Sequence, residues 1–81
     1  MSKTFQIKFE GDAKVLIDRA KKIARDNGAY FNGDETKGSF SGSGVAGNYL
    51  VEQDTIIITI DKKPFIAPWH LVENKIRDFF S

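Results

Sequence analysis

The run Thr55-Ile56-Ile57-Ile58-Thr59-Ile60 constrains this chain more than any other segment. Every residue in it is β-branched, which favours an extended backbone on a pleated, packed surface. Ile56, Ile58 and Ile60 share one face while Thr55, Ile57 and Thr59 share the other, and apolar character on both faces reads as an interior strand. Left uncovered, such a run would template aggregation. Asp54 before it and Asp61, Lys62 and Lys63 after it are charged gatekeepers.

The sheet around this strand has to come from the remainder of 81 residues, 41% of them hydrophobic, which is enough for one core. The chain therefore reads as a single domain over residues 1–81. There is no cysteine, so packing alone holds the fold, and a reducing, cytoplasmic setting is expected. No apolar stretch approaches the ~20 residues that span a bilayer, so no membrane insertion is expected. With 12 basic and 11 acidic residues the net charge is +1, which argues against a general nucleic-acid binder while leaving room for a locally basic face.

Residues 4–9 alternate, with Phe5, Ile7 and Phe9 on one face, as a half-buried strand requires. Asp12 stands where a carboxylate caps a helix, and Ala13, Leu16, Ile17, Ala20, Ile23 and Ala24 recur at helical spacing until Asn27-Gly28 ends the run. Residues 29–32 read as a short strand, followed by the turn Gly33-Asp34-Glu35. Residues 36–51 read as one long strand whose apolar phase slips, since Phe40 is even-numbered while Val45, Tyr49 and Val51 are odd. A bulge at Gly42-Ser43-Gly44 would account for the slip, and a loop there is the other reading. After the turn Glu52-Gln53-Asp54 and the isoleucine strand, Pro64 and Pro68 bound a linker. Pro68 suits the first position of a second helix, with Trp69, Val72, Ile76, Phe79 and Phe80 on its apolar stripe and Asn74, Lys75, Arg77 and Asp78 toward solvent.

The expected fold is thus α+β, in the order strand-helix-strand-strand-strand-helix, with a mainly antiparallel four-stranded sheet and two helices packed on one face. Thr4, Gln6, Lys8, Thr55, Ile57 and Thr59 would then line an open, mostly polar face.

Motifs for chemistry are sparse. Gly42-Ser43-Gly44-Val45-Ala46-Gly47 fits G-x-G-x-x-G, but no hydrophobic strand immediately precedes the glycines and no helix follows, as a dinucleotide site would need. His70 is the lone histidine, with no partners for a triad or a zinc site. A non-enzymatic protein without a cofactor is expected. Lys14, Lys21, Lys22 and Arg25 on the first helix support a nucleic-acid-binding alternative. Val45-Ala46-Gly47 and Pro68-Trp69 support another, a protease inhibitor resembling the cystatins.

A further set of features runs through most of the chain: the Ala/Lys-rich first helix, Tyr30 before Gly33-Asp34, Phe40 with Ser43-Gly44-Val45-x-Gly47, the isoleucine strand leading to Lys63-Pro64-Phe65, and Val72-Glu73 with Ile76. In this order they resemble the putative polyhydroxyalkanoic acid system, or granule-region, family. The resemblance implies an accessory role in storage-polyester metabolism and supplies no catalytic residues. It points to Pro64, Phe65, Ile66 and Trp69 as a contact for a polyester granule surface or a protein partner. The Phe-rich last helix and an edge strand also make a homodimer an expectation.

Overall fold

The computed structural model describes residues 2–64 and 66–80. The elements follow the order β1 (Lys3–Lys8), α1 (Ala13–Asp26), β2 (Tyr30–Gly33), β3 (Lys37–Gly42), β4 (Val45–Glu52), β5 (Thr55–Lys62) and α2 (Trp69–Phe79). All strand pairs are antiparallel, in one sheet ordered β1-β5-β4-β3-β2. The isoleucine strand lies inside it, between β1 and β4, and Ile56, Ile58 and Ile60 are each 0% exposed. The α+β class and the antiparallel sheet therefore hold.

The sheet has five strands rather than four, because residues 36–51 form two strands. Ser43 and Gly44 both take positive φ, 53° and 82°, which makes a two-residue hairpin turn whose twist suits the flanking strands. Gly42 pairs with Val45 and Phe40 with Gly47, so even-numbered residues of β3 share a face with odd-numbered residues of β4. Reversal of the chain, and not a bulge at 42–44, explains the slipped phase. The register irregularity lies at Ala46/Gly47, which pair with Lys62 and Ile60 and leave Asp61 as the extra residue on β5.

Asp12 caps α1 as its sequence position requires, accepting from the Lys14 N–H at 2.9 Å, and Gly28 follows the helix with φ 71°. Leu16, Ile17, Ala20 and Ala24 are the buried stripe. Pro68 sits one position earlier than expected, as the N-cap of α2, and lends its carbonyl to the Leu71 and Val72 N–H groups. Arg77 is not simply solvated. Its Nη1 donates to the Gln6 carbonyl at 3.2 Å, and its guanidinium lies 5.1 Å from the Phe5 ring. That contact ties α2 to β1.

The covered face has two halves. Near β1 it is mostly aliphatic, with Ile7 and the single ring of Phe5 against the three buried isoleucines. Toward β2 it is aromatic: Tyr49 crosses Gly38 and Gly33, stacks on Phe31 at 5.2 Å between centroids and meets Phe80 at 6.0 Å. A methyl group on Gly38 would come within 2.5 Å of Tyr49 Cε1, so these glycines give the ring its place. The Tyr49 hydroxyl donates to the Asp34 carbonyl at 2.7 Å, and burial, with help from the Asp34 and Glu35 charges, pushes its pKa up to about 12. The open face is the polar one expected, with Thr4 and Thr59 paired through their hydroxyls at 3.2 Å and Leu50 opposite Ile57 as an apolar pair.

Asp34 accepts from the Thr36 N–H, the Thr36 hydroxyl and the Lys37 N–H at 2.8, 2.8 and 3.1 Å, which holds its pKa down at about 2 against an ordinary 3.8. A depressed carboxyl pKa stabilises the fold above the ordinary value, and that contribution is lost as pH falls from about 4 through about 2. Urea midpoints should show Asp34→Ala less stable than wild type at pH 7, with the gap closing by pH 2. Gly38→Ala should cost about 1–3 kcal/mol through overpacking against Tyr49, read from the same unfolding curves.

Candidate functional site

The segment between β5 and α2 carries the residues expected to make contacts, and Lys63 organises it. The Lys63 ammonium donates to the Ala67 carbonyl at 2.6 Å and to the Pro64 carbonyl at 3.2 Å, and it lies 5.4 Å from the Trp69 ring. Two carbonyls and an aromatic face replace much of the water that a lysine head would otherwise keep. The Ala67 N–H in turn donates to the Pro64 carbonyl at 3.1 Å, closing a turn. Pro64 itself rests against the β3–β4 hairpin, where its Cγ would lie 3.1 Å from a Cβ added to Gly44. The segment is therefore fixed from below by the hairpin and from within by Lys63. The sequence assigned Lys63 only a gatekeeping charge, and nothing local marks a lysine that will fold back onto its own following carbonyls.

The described residues of the expected contact do not share one environment. Ile66 is 90% exposed at the turn. Pro64 is half-buried. Trp69 is half-buried and packs on the core, with Lys3 Nζ 5.9 Å from its ring and Lys3 also 3.5 Å from Glu73. The Arg77 hydrogen bond, ahead of the Arg77 and Lys3 charges, holds the Glu73 pKa below the usual carboxylate range. Phe65 lies outside the described residues. Phe80 is core and Phe79 packs against it, so neither belongs to an exposed patch.

The basic residues of α1 divide rather than converge. Lys14 pairs with Asp18 at 3.2 Å near the start of the helix. Lys21 and Arg25 line a shallow concavity of about 520 Å³ between α1 and β2, together with Ala24, Gly28, Ala29, Tyr30 and Phe31, whereas Lys22 is exposed outside it. Tyr30, 78% exposed, is a surface aromatic that sequence reasoning assigned to no site. Its alternation with Phe31 placed it on the opposite face, which was the available signal.

Val45-Ala46-Gly47 belongs to β4, just after the β3–β4 hairpin turn, whereas Pro68-Trp69 opens α2, so of the two hairpins of the cystatin resemblance only the first has a counterpart here. The glycine-rich stretch at 42–47 is likewise hairpin and strand. Among the described residues no group of three or more His, Cys, Asp or Glu side chains is placed to hold a metal ion, and no helix is long and apolar enough to cross a membrane.

Because Trp69 is the chain's one tryptophan, its fluorescence reports on this segment. Lys63→Met should lower stability by about 1–2 kcal/mol by leaving the Ala67 carbonyl without its donor, the Pro64 carbonyl keeping the Ala67 N–H, and should raise acrylamide quenching of Trp69. Comparison with known proteins gives no further assignment: no family model, curated protein or solved structure matches the chain.

Proposed function

We propose that the protein is a small non-catalytic accessory domain that adsorbs to the apolar surface of a storage polyester through the turn carrying Pro64, Ile66 and Trp69. The observation that carries this reading is the 90% exposure of Ile66 on a turn held by Lys63. An isoleucine displayed in this way costs little conformational entropy on contact, because its backbone is already fixed. Lys3 and Lys63 stand beside the Trp69 ring, and Lys62 is exposed at the end of β5. Cations around an apolar tip suit a polyester, whose surface offers methylene groups, ester carbonyls and carboxylate chain ends. The likeness to the polyhydroxyalkanoate-system family supports the same surface.

The alternatives have less support. An inhibitor of the cystatin kind would present Pro68-Trp69 on a hairpin, and here these residues begin a helix. A nucleic-acid contact along α1 would draw on Lys14, whose charge is paired with Asp18.

Purified protein mixed with polyhydroxyalkanoate granules should co-sediment with them, and Ile66→Ser should weaken adsorption about tenfold, the loss expected for most of one buried aliphatic side chain. Ile66 makes little contact in the free protein, so this variant should unfold at the wild-type urea concentration. Adsorption no greater than that of a charge-matched globular protein, or adsorption indifferent to Ile66, would refute the proposal.

A further inference from the structure

The two edges of the sheet are not equivalent. At β1 the Phe9 N–H donates to the Asp54 carbonyl at 2.9 Å, which fixes the alternation so that Phe5 and Ile7 point their peptide groups at β5 while Gln6 points outward. Arg77 occupies that outward Gln6 carbonyl, and Lys3 and Lys8 stand at the two ends of the strand. This edge is defended, as exposed edges usually are.

At β2 the Asp34 N–H donates to the Lys37 carbonyl at 3.0 Å, so Tyr30 and Asn32 direct their peptide groups at β3. The peptide groups of Phe31 and Gly33 then face outward, and among the described residues no donor or acceptor meets them. The strand Tyr30-Phe31-Asn32-Gly33 carries no charge of its own. Beside it runs α1, whose Ala24 carbonyl takes the outward Ala29 N–H at 2.8 Å. Helix and strand enclose the concavity of about 520 Å³. Both an open-face residue, Tyr30, and a covered-face residue, Phe31, line it, with nothing from β3, which places it along the outer flank of β2. Lys21 and Arg25 project from its helical wall, and neither forms an ion pair among the described residues.

We infer that the groove between α1 and the free edge of β2 takes an extended acidic peptide as a sixth strand. The Phe31 and Gly33 peptide groups supply the main-chain hydrogen bonds of strand addition, and Lys21 and Arg25 select carboxylate side chains on the incoming strand. The exposed Tyr30 ring covers the side chains that the added strand turns toward the open face. The site is separate from the turn at Ile66, so polyester adsorption and peptide capture can be gained or lost independently.

The probe is a capped eight-residue peptide of alternating valine and glutamate, titrated into isotopically labelled full-length protein and followed by amide chemical shifts. The Phe31 and Gly33 amides should shift together, and a copy methylated on alternate backbone nitrogens should leave them unmoved. The variant Lys21→Glu with Arg25→Glu should bind at least about tenfold more weakly and should prefer the lysine version of the peptide. Both positions are exposed, so the variant's own spectrum and urea midpoint check that it folds. Unmoved edge amides or undiminished binding of the methylated peptide would overturn the inference. So would binding of an oligothymidylate by the same residues in place of the peptide, or a peptide-independent dimer that buries Phe31 and Gly33.

Discussion

The aromatic half of the covered face is arranged around Tyr49, packed over Gly33 and Gly38. A five-stranded sheet with bulky residues at every inward position could not bring α2 close enough to bury its last turn. The two glycines lower the floor beneath the ring, the Asp34 carbonyl holds its hydroxyl, and Phe31 and Phe80 stack and tilt against its sides. Phe80, 1% exposed, also contacts Phe40 and Phe79, so the end of α2 is locked by aromatic rings on three strands and on itself. On the other side Arg77 crosses to β1. These contacts hold the far end of the second helix, and they work together with Lys63 and the β3–β4 hairpin, which hold the turn at its start.

How much of this is legible in the residues depends on the range of the interaction. β5 and α1 are set by local pattern, the first by β-branched alternation and the second by a helical stripe between Asp12 and Asn27-Gly28, and both are where their sequences put them. The Ser43-Gly44 turn was not legible as such, because a bulge and a two-residue reversal shift the apolar phase by the same one residue, and Ser at the first turn position is not one of the strong hairpin signals. Tyr49 over its glycines joins three strands, and Arg77 on Gln6 joins residues 71 positions apart. No periodicity encodes either contact.

The candidate sites show the same division. The sequence suggests an exposed apolar contact over Pro64, Phe65, Ile66 and Trp69, and its two prolines mark the segment as a linker between β5 and α2. It did not separate Ile66, which faces solvent, from Trp69, whose ring serves the core and two ammonium groups. The basic helix was legible as charge, and so was the i,i+4 spacing of Lys14 and Asp18, yet the placing of Lys21 and Arg25 along the flank of a sheet edge depends on where β2 ends up. A sheet edge is defined by strand order, and strand order is a property of the whole chain.

Aromatic packing at the end of α2 reinforces the segment at its beginning, beyond what Lys63 and the hairpin supply. Phe80→Ala, followed by urea unfolding and by the emission of Trp69 some eleven residues away, tests it most directly. A loss of about 3–5 kcal/mol, accompanied by a red shift of Trp69 emission under native conditions, is the predicted result. A loss below about 1 kcal/mol with Trp69 emission unchanged would mean that the turn and its tryptophan stand without the aromatic lock.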